Sequence, residues 1–219
     1  PTICELICNM CINSPDNKIL DPGCGSGGFL ISSYYRLLNL MNKNKNDEKT
    51  HNKILSQVYG IDINQFASHL AVINLTIRNL EAKTNKVNVI TSDFFKIMGG
   101  EQTTLFGHKS LSLDEKHHYI NIPRDFDVIV ANPPYTRQEE IGNKKYKDEI
   151  RKIALTFDNK KLIDISAKAG IYAYFFTHST HFLKENGMMG YIVSNSWMDV
   201  DFGKDLQKFF LDNFKITEF

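Results

Sequence analysis

The 219-residue sequence contains no run approaching the roughly 20 consecutive apolar residues that a membrane-spanning helix requires. Its opening, Pro1-Thr2-Ile3-Cys4-Glu5, lacks the basic stretch that begins a signal peptide. From these two absences a cytoplasmic protein is expected. An excess of charge of one sign is also missing: 26 Lys and Arg stand against 25 Asp and Glu, a formal net charge of +1. That balance excludes a module held to nucleic acid by bulk electropositivity alone, so any such contact must be local. Cysteine is scarce, and Cys4, Cys8, Cys11 and Cys24 all crowd the start. This is a poor disulfide framework and suits a reducing compartment. Internal repeats and coiled-coil heptads are absent. What is present is ordinary globular composition, 42% hydrophobic and 23% charged, enough to bury one sizeable core. One domain over residues 1–219 is therefore expected. The chain begins at Pro1 rather than Met and stops at Phe219 within a stretch of strand character, so it reads as a fragment of a longer polypeptide.

The spacing Cys4-x3-Cys8-x2-Cys11 matches the form in which radical enzymes hold three corners of an iron–sulfur cluster. Positions 4, 8 and 11 are equally one stripe of a helix, with Ile3, Ile7, Met10 and Ile12 beside it. Small buried thiols on an amphipathic helix account for the pattern without a metal.

Apolar periodicity alternates along the chain between short extended runs and longer helical ones, the signature of βαβ units and a parallel sheet. Strands are expected at Lys18–Asp21, Val58–Ile63, Val87–Thr91, Phe126–Ala131, Met189–Ser194 and Lys215–Phe219. Helices are expected at Thr2–Ile12, Gly28–Met41, Gln65–Leu80, Ile171–Lys184 and Lys204–Asn213. Three stretches break the rhythm and read as loops or insertions: Asn42–Asn52, Gly99–Pro123 and Gln138–Lys161. The fold class that follows is α/β, a mostly parallel doubly wound sheet.

The chemistry concentrates at the expected strand ends. Asp21-Pro22-Gly23-Cys24-Gly25-Ser26-Gly27-Gly28-Phe29-Leu30 follows a strand and opens a helix, so its glycines allow a tight turn and close approach to a ligand. Gly23, Gly25 and Gly28 formally satisfy G-x-G-x-x-G, which leaves a dinucleotide site open. Asp21 points elsewhere, since a carboxylate there accepts from an ammonium group and repels a pyrophosphate. Asp62, in Gly60-Ile61-Asp62-Ile63, ends the next strand, where a carboxylate can hold both hydroxyls of a ribose. Asp93 and Phe94, in Ser92-Asp93-Phe94-Phe95, end the third, where acid and aromatic can take an adenine amino group and ring face. Three acids on the edge where open sheets bind ligands argue for an adenosine-bearing cofactor that also carries an amino acid.

Asn132-Pro133-Pro134-Tyr135 comes straight after the buried strand. The prolines stiffen the backbone and offer carbonyls without N–H groups, while Asn132 adds a side-chain carbonyl. A conjugated amine is a poor nucleophile because its lone pair is delocalised. Acceptors at Asn132 and the Pro133 main chain can draw its protons out of plane and localise that pair, and Tyr135 can stack on the ring.

DPGCGSGGFL, GIDI, SDFF and NPPY, in that order, resemble the γ-class DNA adenine-N6 methyltransferases, particularly Type I modification subunits, Type IIG enzymes and TaqI-like methylases. The block from Tyr172 to Phe210 is similar to the elements that follow NPPY in those enzymes, and Pro1-Thr2 resembles the end of their N-terminal cofactor motif. The resemblance covers nearly the whole chain. It implies a Rossmann-like methyltransferase fold and S-adenosyl-L-methionine as cofactor. The implied cofactor residues are Thr2, Asp21, Gly23, Cys24, Gly25, Phe29, Asp62, Ile63, Asp93, Phe94 and Asn132; the implied catalytic set is Asn132, Pro133, Pro134 and Tyr135. It further implies double-stranded DNA as partner, reached through a recognition domain or subunit beyond this chain, together with restriction or specificity subunits. The family's second stacking aromatic and its seventh, antiparallel strand are not found. Two rivals share features. Glutamine-N5 protein methyltransferases share NPPY and RNA guanine-N2 methyltransferases share the glycine loop; a non-catalytic cofactor-binding assembly subunit is the other. Lys144, Lys145, Lys147, Arg151 and Lys152 are candidates for phosphate contact, interrupted by Asp148 and Glu149. His117-His118, His178 and His181 lack acidic or Cys partners at ligand spacing and are expected to pack or face solvent. Trp197 is expected to pack at a strand end.

Overall fold

The computed structural model describes residues 2–42, 47–84, 86–98, 102–104, 119–135, 144–157, 160–165, 169–199 and 201–218. The chain divides into two compact units, Pro1–Asn132 with Phe182–Tyr191, and Pro133–His181 with Ile192–Phe219.

The first unit holds a five-stranded sheet of β1 (Ile19–Asp21), β2 (Val58–Asp62), β3 (Asn88–Thr91), β4 (Phe126–Ala131) and β5 (Leu183–Tyr191). All neighbours pair in parallel, in the order β3-β2-β1-β4-β5. Short runs of Ile, Val and Leu suit strands covered on both faces, and Ile19, Leu20, Ile61, Val89, Ile129 and Val130 are all buried. The order reverses between β1 and β4, and in an open parallel sheet that reversal opens a crevice at the carboxyl ends of the strands.

Helices α1 (Thr2–Cys11), α2 (Gly28–Met41), α3 (Glu48–Gln57) and α4 (Gln65–Thr76) belong to the same unit. Each buries one stripe: Cys8 and Cys11 from α1, Leu30, Tyr34 and Leu37 from α2, Ile54 and Leu55 from α3, Ala71 and Leu75 from α4. The α1 helix lies directly on β5, where a Cβ at Gly190 would sit 2.5 Å from Ile7 Cγ2 and 2.7 Å from Cys11 Sγ. Cys8 and Cys11 thus act as packing thiols, and burial pushes them up to about 12 and about 11 respectively. The Tyr34 hydroxyl meets His51 Nδ1 at 2.8 Å and ties α2 to α3.

The second unit contains α5 (Lys144–Ala154), α6 (Ile171–Ser179), a 3-10 turn at Asn195–Met198 and α7 (Asp201–Asn213). Trp197 is buried in that turn, its ring 5.8 Å from Phe210, which also meets Phe176 edge-on at 4.9 Å. His178 and His181 are buried side by side with rings 5.1 Å apart, so the packed expectation holds for this pair. His117 and His118 lie outside the described residues.

Several boundaries differ from expectation for identifiable reasons. Asn42–Asn52 is not all loop: Asp47 caps α3 by accepting the Thr50 N–H at 3.0 Å, and the helix runs on past the polar stretch to Ile54 and Leu55. The helix expected over Gln65–Leu80 ends at Thr76, and Asn79 Oδ1 closes the following turn on the Glu81 and Ala82 N–H groups. The helix expected through Lys184 stops at Ser179, where the Thr180 hydroxyl returns to the Thr177 carbonyl. The last strand begins at Leu183 rather than Met189 and ends at Tyr191 rather than Ser194. It takes in Asn186-Gly187 as an irregularity, with Asn186 left-handed at φ 60° and the register to β4 shifted between Phe126 and Val128. Gln138–Lys161 contains α5 and a two-stranded ribbon, Thr156–Phe157 with Lys160–Lys161. Gly99–Pro123 likewise holds the ribbon of Gln102–Thr104 with Tyr119–Asn121. The expected strand at Lys215–Phe219 is absent among its described residues, 215–218, which have no neighbouring strand.

Candidate functional site

The register of the sheet sets the height of each acid. Asp21 pairs with Gly60, and Asp62, two residues further along β2, pairs with Thr91. Leu20 pairs with Ile129, so β4 also continues past the end of β1 before reaching Asn132. Asp21, Asp62 and Asn132 therefore stand on one edge of the sheet, the carboxyl edge, with Asp21 and Asn132 flanking the order reversal.

The glycine loop is built by that edge. Gly25 at φ +52° and Gly27 at φ +94° occupy left-handed backbone that other residues rarely adopt. Gly27 caps α2 and comes so close to α4 that a Cβ would lie 3.3 Å from Ala71. Cys24 donates its N–H to the Ile61 carbonyl at 2.9 Å, and its Sγ would be 3.0 Å from a Cβ at Gly60. The loop is thus stitched across the end of β2.

Asp62 performs the decisive stitch. One carboxylate oxygen accepts the Gly25 N–H at 2.8 Å and the other accepts the Asn64 N–H at 2.8 Å. Each oxygen retains a lone pair, the acceptor pair that a vicinal diol requires. Asn64 in turn caps α4 by accepting from the Phe66 and Ala67 N–H groups, while Ser92 donates to the Asp62 carbonyl. Three successive strand ends are fixed to one another through this residue.

Asp21 is 1% exposed, and among the described residues its carboxylate accepts the Gly23 N–H at 3.2 Å. Burial above all, with the charge of Asp62 adding to it, pushes its carboxyl up to about 8. A buried carboxylate so poorly compensated is suited to a cationic partner. Among the other expected residues, Asp93 caps the 3-10 turn Phe94–Lys96 by accepting the Phe95 N–H at 3.1 Å. Phe94 and Phe29 are both buried, Phe94 against Phe182 with rings 5.3 Å apart. Cys24 is buried, Gly23 is half-buried, and Thr2 is exposed at the start of α1.

Ile63 is 71% exposed beside Asp62, and so is Phe66 at 72% in the first turn of α4. Phe66 escaped sequence reasoning; its signal is a large aromatic at the N-terminal turn of a helix whose cap follows the ribose-type acid. In the NPPY segment Asn132 is exposed, Pro133 buried and Pro134 exposed. Tyr135 is 51% exposed, with its hydroxyl donating to the Ile192 carbonyl at 3.1 Å. On α5 the exposed positions Lys145, Asp148, Glu149 and Lys152 carry two positive and two negative charges, while Arg151 donates to the Ile165 carbonyl at 3.2 Å. Among the described residues no helix is long and apolar enough to cross a membrane.

The donor set fits an adenosyl cofactor bearing an amino acid: a buried acid for an ammonium, a two-oxygen acceptor for a diol and exposed apolar Ile63 beside it. Comparison with known proteins agrees. The Eco57I restriction-modification methylase family matches residues 56–219, and the RMKL-like methyltransferase domain matches residues 1–98. The chain is 27% identical to the Type II restriction enzyme and methyltransferase RM.Eco57I of Escherichia coli, over 90% of this chain and 22% of that protein. It is 26% identical to the Type II methyltransferase M.BstVI of Geobacillus stearothermophilus, over 99% of this chain and 36% of the relative. The chain therefore spans between about a fifth and about a third of these relatives. Among solved structures, the type IIG restriction endonuclease BpuSI superposes with a TM-score of 0.66 at 16% identity, covering 97% of this chain and 21% of that one. A protein of Listeria monocytogenes described as a putative class I S-adenosylmethionine-dependent methyltransferase superposes with a TM-score of 0.58 at 13% identity, covering 97% of this chain and 51% of that one. The fold is accordingly the Rossmann-like one of that class.

Proposed function

Because the chain belongs to the Eco57I restriction-modification methylase family, we propose that it is the catalytic domain of an S-adenosylmethionine-dependent enzyme that methylates N6 of adenine in DNA. The observation that carries this reading is the placement of Asn132 on the same sheet edge as Asp21 and Asp62, beside the order reversal.

S-adenosylmethionine, when bound, supplies an electrophilic methyl on a sulfonium. The residues that would hold it are Asp21 at the ammonium, Asp62 at the ribose and Ile63 at the adenine, with Asp93 and the glycine loop completing the cradle. The target base must leave the duplex to reach such a pocket. Asn132 and the Pro133 carbonyl accept from its N6 amine and localise the lone pair, and the exposed face of Tyr135 stacks on the ring. A strong general base is not needed, since the proton leaves after the nitrogen has gained the methyl and become acidic. What the chain contributes is position and acceptors. DNA is engaged through a recognition domain or subunit outside this chain, in partnership with restriction or specificity subunits. Glutamine-N5 and guanine-N2 transfer use the same acceptor logic; what favours adenine is the name of one relative, the adenine-specific methyltransferase PglX of Streptomyces coelicolor, 26% identical over 92% of this chain and 19% of that protein.

Asn132→Ala in the intact gene product tests the reading. N6-methyladenine in the DNA of expressing cells should disappear while cofactor affinity stays within a few-fold. Undiminished methylation by the variant refutes the role of Asn132.

A further inference from the structure

The Tyr135 hydroxyl has a partner that base stacking does not call for. It donates to the main-chain carbonyl of Ile192 at 3.1 Å, while half of the residue's surface stays exposed. Ile192 is the residue directly after β5, whose final Tyr191 pairs with Ala131, the last residue of β4. The chain thus leaves β4, makes the four-residue excursion Asn132-Pro133-Pro134-Tyr135, and is tied at its far end to the exit of the neighbouring strand.

Within that excursion the freedom is unevenly distributed. Pro133 and Pro134 have φ locked by their rings. The Tyr135 side chain turns about two torsions, χ1 and χ2, and a ring without an anchor wobbles about both. A hydrogen bond at the para position, the point farthest from Cα, restrains both torsions at once. It also occupies the hydroxyl's only donor, so that the ring presents an apolar face rather than a polar hook.

Resting on the adenine-N6 reading above, we propose that the Tyr135 hydroxyl is a positioning group, which sets the plane of the stacking ring through the Ile192 carbonyl. Base selection then falls to Asn132 and its neighbours, and Tyr135 supplies a surface of fixed tilt. The hydroxyl's contribution is separable from that of the ring: phenylalanine keeps the face and loses the anchor.

The test is Tyr135→Phe in the intact gene product, with Asn132→Ala run beside it. The Phe variant should lower kcat/KM for DNA about three- to tenfold, the effect of one lost hydrogen bond. Cofactor affinity and thermal midpoint should be unchanged. With 2-aminopurine at the target position, the variant complex should be brighter than wild type, because a wobbling ring quenches the extruded base less. Unchanged DNA kinetics and unchanged fluorescence overturn the inference. A fall in thermal midpoint that accounts for the kinetic loss also overturns it, since the bond would then be merely structural. If Asn132→Ala remains fully active, the adenine-N6 reading fails instead; if that variant is dead and Tyr135→Phe is normal, only the anchor is refuted.

Discussion

Asp21→Asn separates what this carboxylate does for the cofactor from what it costs the fold. The side chain is buried at the end of β1, and burial raises its pKa from the ordinary 3.8 to about 8. The folded state therefore holds a proton that the unfolded chain releases, over the whole window between those two values. A raised folded pKa means that the associated stability is fully present below pH 4 and is lost as pH climbs towards 8. At 1.36 kcal/mol per unit, a shift of about four units sets a ceiling of roughly 5 kcal/mol on that loss. Asparagine is nearly isosteric, keeps an oxygen for the Gly23 N–H and has no proton to surrender. The variant should match wild type near pH 4 and become progressively more stable than it towards pH 8.5, in urea denaturation with the m-value held constant. Its affinity for S-adenosylmethionine should fall by one to two orders of magnitude, about 1.5–3 kcal/mol for a hydrogen bond to a charged group. On the proposed role of Asp21 at the ammonium, the same titration in wild type should weaken cofactor affinity by up to tenfold per pH unit below 8, because the ammonium would bind the ionised carboxylate. Calorimetry in buffers of different ionisation enthalpy should report proton release on binding at neutral pH. A variant less stable than wild type at pH 8.5, or a wild-type affinity flat from pH 6 to 8.5, refutes the reasoning.

Gly27→Ala forces a Cβ onto a φ of +94° and to within 3.3 Å of Ala71, so it should destabilise by about 1–3 kcal/mol and loosen cofactor binding, as thermal melts with and without cofactor would show. Thr91→Val has the opposite sign: Thr91 Oγ1 is buried with no hydrogen-bond partner, and exchanging the hydroxyl for a methyl should raise stability by about 1 kcal/mol in urea unfolding.

How much was legible beforehand depends on whether a feature is local in the chain. The acids at Asp21 and Asp62 and the turn at Asn132 follow runs of Ile, Val and Leu that read as buried strands, so their arrival on one edge follows from parallel pairing alone. The joining of those features was not legible. Asp62 looks like a ribose acceptor in sequence, yet in the fold it also clamps the Gly25 and Asn64 N–H groups, one of them 37 residues away. That clamp exists because the glycine loop folds back across β2, and nothing in either segment announces it. Aromatics show the same dependence. Phe94 follows a strand-end acid and reads as a stacking face, and in the fold its ring also packs on Phe182, while Phe66, unremarked in its helix, is left bare. The α3 helix hid behind the Asn/Lys-rich run because its one capping acid, Asp47, is unremarkable among polar neighbours and its buried stripe, His51, Ile54 and Leu55, begins a full turn later. Residue type therefore located the edge on which the candidate groups sit, and only the tertiary hydrogen bonds decide how each group there is held. Asp62 is held in this way by the Gly25 and Asn64 N–H groups, and the Tyr135 hydroxyl by the Ile192 carbonyl, partners that lie outside the GIDI and NPPY segments themselves.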